Sequence, residues 1–334
     1  MKRFRTGIDS YSLNPLGLSP FGLLDWVEKN GGDGVQFSEG RFQPDRVPDK
    51  ASLKELAVTA RGKGLYLEWG GGEHIPFDLQ TGRAKDIFGA NRRAAEQARL
   101  LGVDTVRSCS GGLMRWDRNS QRTEDFLKAM AESLRPQKSM LNDLGVILAI
   151  ETHFEFTTFE LRRLFEMCDA APGDYLGICL DTMNLLTMLE DPVEATRRIL
   201  PWVVTTHIKD GAIILEKQGL RSFPVEAGNG LIDLRAIIGL LSTAGRGIHL
   251  SLEDHGGDFL IPIFDGEFLA RFPDLTAPEL CRLLEISVRA GRLKAEGRIE
   301  ILDRSLWPER CQERVKSGLG YLKSLAGETA RHPA

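Results

Sequence analysis

The chain has 334 residues, 42% of them apolar and 27% charged, a balance that suits a folded globular protein and argues against disorder. Its formal charge of −4 gives no basic field for a nucleic acid. No apolar run approaches the ~18 residues that cross a bilayer, which excludes a helical membrane span.

The basic opening, Met1 to Thr6, has no apolar middle of a secretory signal behind it. Five cysteines, Cys109, Cys168, Cys179, Cys281 and Cys311, form no CxxC pair and read as reduced thiols of a cytoplasmic protein. From there a unit recurs: a short apolar run, most often opened by glycine, ends in a polar cluster, and a helical stretch follows. The first run covers 7–10. Ser19-Pro20 then offers an N-cap followed by proline at the first helical position. Runs at 34–38 and 64–68 come next. The second leads through Trp69 into Gly70-Gly71-Gly72-Glu73-His74, expected as a loop that closes over a site. Residues 84–101 are rich in Ala, Arg and Leu and stop at Gly102, and a run at 103–107 ends in Arg107. A run at 145–151 precedes the capping box Thr157-Thr158-Phe159-Glu160. Runs at 177–181, 203–207 and 247–253 complete the series, with Asp233 placed to cap a helix over 234–244 that Gly245 ends.

Eight such units, spaced by roughly 35 residues, predict a parallel sheet closed into a (β/α)8 TIM barrel over residues 1–258. An open doubly wound sheet is disfavoured, because no GxGxxG follows the first run. Beyond 258 the repeat stops. Thr276-Ala277-Pro278-Glu279 opens a helix toward Lys294, and a second helical stretch covers 306–325. With no flexible linker before it, 259–334 is expected as a C-terminal helical extension packed on the barrel or on a neighbouring subunit of a homo-oligomer, frayed from Glu328.

Residues two apart on a strand share a face. On that parity Ile147, Ala149, Glu151 and His153 point inward, as do Cys179 and Asp181. So do Val203, Thr205, His207 and Lys209, and His249, Ser251, Glu253 and His255. Each of these four strands therefore ends in a metal-competent side chain: Glu151, Asp181, His207 and Glu253. Each carries a small one two residues earlier: Ala149, Cys179, Thr205 and Ser251. Small residues one layer down are expected to leave a cavity at the C-terminal rim, where barrel active sites lie. Three carboxylates and one imidazole suit a divalent ion such as Mn2+, Mg2+, Co2+ or Zn2+, and the acids need its charge in order to converge.

The order of these residues resembles the xylose isomerase-like TIM barrels, the sugar isomerase/epimerase superfamily that also includes endonuclease IV. The segments that carry the resemblance are Ile-Glu-Thr-His at 150–153, Leu-Asp-Thr-Met-Asn at 180–184, His-Ile-Lys-Asp at 207–210 and Leu-Glu-Asp-His at 252–255, with a glycine turn at 228–233. It implies one catalytic divalent metal, Mn2+ foremost, held by Glu151, Asp181, His207 and Glu253. It also implies a sugar or keto-sugar isomerase or epimerase working through an enediolate, with Glu151 and Glu253 as acid/base groups. The chain departs from the ketose 3-epimerases at three places. Asn184 stands where they carry His, Lys209-Asp210 stands where they carry Arg, and no Arg-Phe-Glu follows the fifth strand.

His153 and Lys209 are further candidate catalytic groups by parity. Glu68, His74, Arg107, Asn184 and His255 are candidate substrate contacts, and Arg107 can instead pair with Glu68 or Glu151. Tyr11 and Gln36 are wall candidates, and Trp116 is a sugar platform or a packing residue. The departures keep an alternative open: a metal-dependent decarboxylase or β-eliminase on an oxidised sugar or sugar acid. The acidic balance and six histidines speak against a DNA-repair nuclease. The expected partner is a small sugar or sugar-acid substrate.

Overall fold

A computed structural model describes residues 4–40, 42 and 48–331. The first half of the chain runs β1 (Thr6–Asp9), α1 (Pro20–Lys29), β2 (Gly34–Phe37), α2 (Lys50–Gly62), β3 (Tyr66–Gly72), α3 (Ile87–Leu101), β4 (Thr105–Ser108), α4 (Thr123–Leu134) and α5 (Lys138–Leu144). It continues with β5 (Ile147–Glu151), α6 (Thr158–Met167), β6 (Leu176–Asp181), α7 (Asn184–Thr187), α8 (Pro192–Ile199), β7 (Val203–Ile208), β8 (Asp210–Glu216) and β9 (Gly219–Val225). The last elements are α9 (Leu234–Ser242), β10 (Leu250–Leu252), β11 (Phe259–Ile261), α10 (Gly266–Leu269), α11 (Ala277–Ala295) and α12 (Trp307–Arg331). Eight strands close a barrel in the order β1-β10-β7-β6-β5-β4-β3-β2, and every pairing is parallel. The protein is a TIM barrel with additional C-terminal helices.

Local chemistry sets the helix boundaries. Ser19 accepts from Gly22 N–H at 3.0 Å ahead of Pro20. Thr157 and Glu160 form a reciprocal capping box. Asp233 caps α9 through Ala236 N–H. The stripe that each helix turns inward packs on the outward faces of the strands, which makes one continuous apolar core.

Four expectations are corrected. First, Gly70–Gly72 is not a loop but the end of β3. A Cβ on Gly70 would lie 1.7 Å from the Ser38 carbonyl oxygen, so glycine is what lets the two backbones approach. Second, the register slips between β6 and β7, so that Val204 rather than Val203 joins Ile147, Ala149 and Cys179 inside the barrel. Third, β7 does not lead directly into a helix. β8 and β9 form an antiparallel hairpin, and β11 adds to it as a third strand. Fourth, α12 continues through Arg331 instead of fraying at Glu328; residues 332–334 lie outside the described part.

The C-terminal helices pack on this chain. α11 covers the hairpin and shares a small core with it, in which Ala290 meets Ala212, Ile214, Phe223 and Val225. α12 lies against β1, β10 and α9, the place the ring keeps for the helix after the last barrel strand.

Candidate metal centre

Glu151 and Asp181 are the last residues of β5 and β6, His207 is next to last in β7, and Glu253 follows β10. Parallel register raises all four to the same rim. One donor atom from each lies within 4.8 Å of every other, and all four side chains are buried. His207 Nδ1 is 3.0 Å from Glu253 Oε2 and 3.4 Å from Glu151 Oε1. Asp181 Oδ1 accepts from the backbone N–H groups of Met183 (2.9 Å) and Asn184 (3.0 Å), which aims Oδ2 at the cluster.

The donor set fits a divalent cation. Asp181 Oδ2, His207 Nδ1 and Glu253 Oε2 are buried without a well-formed hydrogen bond, and they are the atoms that face one another. Three carboxylates and an imidazole are ligands for a hard to borderline ion.

Two cations of the chain already touch this cluster. Arg107 donates through Nε to Glu151 Oε2 at 2.5 Å, also pairs with it through the guanidinium tip, and reaches the Ser38 carbonyl at 3.2 Å. Lys209, between β7 and β8, sets Nζ 2.9 Å from Asp181 Oδ2 and 3.1 Å from Glu253 Oε2. Its Nζ also lies 3.2 Å from His255 Nε2, while His255 Nδ1 donates to the Gly256 carbonyl at 2.8 Å. Burial pushes Asp181 up to about 6, against the pull of Lys209. Burial would raise Glu253 and Glu151 too. Lys209 and His207 outweigh it at Glu253, and Arg107 and His207 outweigh it at Glu151, so both stay far below the usual carboxylate range. Burial and the Lys209 charge lower His255 to about 4, which leaves it neutral.

The remaining candidates are spread over different depths. Asn184 is buried, with both amide atoms unpartnered. His153 binds Glu155 at 2.9 Å and groups with Cys109 beside the centre. His74 is fully buried, not a solvated loop residue; its Nδ1 meets Ser108 Oγ at 2.9 Å, and burial lowers it to about 4. Glu68 does not reach the mouth. It sits one layer below, where Thr205 Oγ1 (2.8 Å), Ser251 Oγ (3.3 Å) and His249 Nδ1 (3.1 Å) surround its carboxylate. Of the four small residues expected to leave a cavity, Thr205 and Ser251 make room for Glu68, and Ala149 and Cys179 pack with Val204. Trp116 is a packing residue, bonded to the Leu260 carbonyl at 2.7 Å and set against Phe268. Asp210 does not pair with Lys209. Its carboxylate accepts from the backbone N–H groups of Gly211, Gly228, Gly230 and Ile232 and so holds the glycine turn.

Sequence reasoning missed Asp9 and Glu155, and it read Gln36 only as a wall residue. Asp9 ends β1, with Oδ2 buried and 3.6 Å from His207 Nε2. With the Gln36 amide turned so that its oxygen and nitrogen exchange places, the orientation its neighbours' chemistry calls for, the oxygen accepts from the same nitrogen at 3.3 Å and the nitrogen donates to Glu68 Oε2 at 3.3 Å. The polar ends of the first two strands were the available signal.

Residues 24–271 match the family described as xylose isomerase-like TIM barrel. A curated relative, 3-oxo-isoapionate decarboxylase from Pectobacterium atrosepticum, is 27% identical over 243 residues, 72% of this chain and 78% of that protein. Among solved structures, D-allulose 3-epimerase from Methylomonas sp. superposes with a TM-score of 0.61 at 14% identity, covering 97% of this chain and 99% of that one. A xylose isomerase-like TIM barrel protein from Mycobacterium smegmatis, solved in complex with magnesium, gives 0.59 at 16% identity and covers 85% and 100%. At such identities the structural matches speak for the fold alone. No described helix is long and apolar enough to cross a membrane. With a closed parallel barrel and a family match over most of its length, the chain belongs to the xylose isomerase-like TIM barrel family.

Proposed function

We propose that this centre belongs to a divalent-metal-dependent enzyme that takes a small oxo-sugar acid to an enediolate by loss of CO2. The observation that carries this reading is Lys209, an ammonium buried at the rim and in contact with two of the four candidate ligands. A cation held there can bind a substrate carboxylate and then protonate the carbon that lost it. The decarboxylase among the relatives supports the same direction.

A divalent ion held by Glu151, Asp181, His207 and Glu253, with Mn2+ first to test and then Mg2+, Co2+ and Zn2+, supplies Lewis acidity toward adjacent oxo and hydroxyl oxygens. The chain's own residues do the rest. Lys209 and Arg107 provide positive charge, and Asn184 offers a buried donor and acceptor to substrate hydroxyls. In the step itself the bond from carbon to carboxylate breaks, and its electron pair forms the enediolate. CO2 leaves, and the Lys209 ammonium returns one proton to carbon. His255, neutral and 3.2 Å from Nζ, accepts a hydrogen bond from it and orients it.

A second reading, isomerisation or epimerisation, rests on Glu151 and Glu253 both lining the centre as possible bases. It is weaker because it gives the buried Lys209 ammonium no substrate carboxylate to bind. Incubation of the Mn2+-loaded protein with carboxyl-labelled 3-oxo sugar acids and with ketoses separates the two. Labelled CO2 release that fails in Lys209→Met supports decarboxylation. Deuterium uptake from solvent without loss of carbon supports the second reading. Neither activity with any of the four metals overturns both.

A further inference from the structure

The opposite, N-terminal end of the barrel is unusually polar. A cavity of about 560 Å3 opens there, and its wall includes Arg61, Arg99, Arg246, Tyr66, Glu68 and His249. Arg61 and Arg99 come from the last turns of α2 and α3, and neither pairs with a described carboxylate. Among the described residues Arg246 faces one carboxylate, that of Asp104 at 3.7 Å, and its Nε is buried without a hydrogen-bond partner. Arg5, 5.3 Å from the Tyr66 ring, stands outside this wall and spends its guanidinium on the carbonyls of Asp33 and Gly64. Two carboxylates share the wall with these arginines: Glu68, already enclosed by Thr205, Ser251 and His249, and Asp104, which faces Arg246. Convergent guanidinium groups on a concave wall repel one another, and a bound oxyanion relieves that repulsion with matched fork geometry.

The cavity is connected to the metal centre by contact. Tyr66 stacks on His249 at 3.8 Å, and their rings lie at the barrel base, where Gly7 and Gly34 leave space for Tyr66. His249 meets Glu68, Glu68 meets Gln36, and Gln36 meets the Nε2 of His207.

We propose that the barrel base is a second binding site, for a small phosphorylated metabolite or free phosphate held by Arg61, Arg99 and Arg246. Its occupancy is felt at His207 through His249, Glu68 and Gln36. The site stands apart from the reaction at the other end and does not depend on which reaction that is. The competing structural role is plain: Arg61 and Arg99 also suit the carbonyl ends of their helices.

The test titrates the Mn2+-loaded protein with inorganic phosphate and with glycerol 3-phosphate by calorimetry, against potassium chloride of matched ionic strength. The expected result is saturable binding that weakens at least about tenfold in the exposed pair Arg61→Glu/Arg99→Glu and in the single variant Arg246→Met. Tighter binding of glycerol 3-phosphate identifies a metabolite as the ligand, and equal affinity identifies free phosphate. Saturation should also shift the apparent Mn2+ affinity severalfold, with the shift absent in Gln36→Leu. No binding beyond the chloride control, or binding retained in the arginine variants as phosphate at the metal centre would be, overturns the site. An unmoved Mn2+ affinity overturns the connection.

Discussion

An ammonium buried against carboxylates persists only while they stay charged, so Lys209 reports on the state of Asp181 and Glu253. If Lys209 acts on substrate, Lys209→Met lowers kcat by about 10²–10³, the size of one preorganised charge in a shielded site, and leaves bound metal unchanged. Loss of metal in that variant would show that Lys209 only holds the ligands in place. Glu151→Gln and Glu253→Gln each remove a ligand charge, and both should lose metal and turnover together; near-normal rates in either reject the proposed centre. Gln36→Leu removes the acceptor at His207 Nε2 and should weaken metal affinity by about 10–100-fold, as read by competition with a chelator. The convergence of Glu151, Asp181, His207 and Glu253 was legible because strand parity gives the face and the last polar residue gives the rim. Parity does not give depth. Glu68 was therefore assigned to the mouth although its side chain occupies the layer below, and Gln36 was read as no more than a wall residue because β2 is too short to show a pattern.

At the level of elements, short apolar runs, six of the eight opened by glycine, marked all the barrel strands, and caps marked most of the helices. The hairpin was invisible for a local reason. Its strands turn at Lys217-Gln218, between the paired Glu216 and Gly219, without the Asn-Gly or Asp-Gly pair that advertises a tight turn. α12 was legible as a helix but not as part of the ring, since its partners on β1 and β10 are remote in sequence. Cys311, Val315, Leu319 and Leu322 form one buried stripe along it. If α12 closes the ring, Leu319→Ala costs about 2–5 kcal/mol in urea unfolding, as for a core leucine, with the barrel still unfolding in one transition. A cost below about 1 kcal/mol, in the range of a surface change, would make α12 a loosely docked appendage.

For the molecule as a whole, closure matters more than any single strand. The candidate ligands come from β5, β6, β7 and the end of β10, and Asp9 adds a carboxylate from β1, so the cluster exists only when the sheet meets itself. The unfolded chain scatters these groups and has no comparable affinity for a cation. Metal binding must therefore stabilise the native state by linkage, by about 2.7 kcal/mol when free metal is 100 times its Kd. For a chain of this size that amounts to a rise in Tm of roughly 5 °C, reversed by a chelator. The rise should vanish in Glu253→Gln, whose own Tm without metal need not fall, because removing one of several converging negative charges relieves their repulsion. A rise of equal size in wild type and Glu253→Gln would mean that the ion binds elsewhere, and the four strand ends would then have come together for some purpose other than holding it.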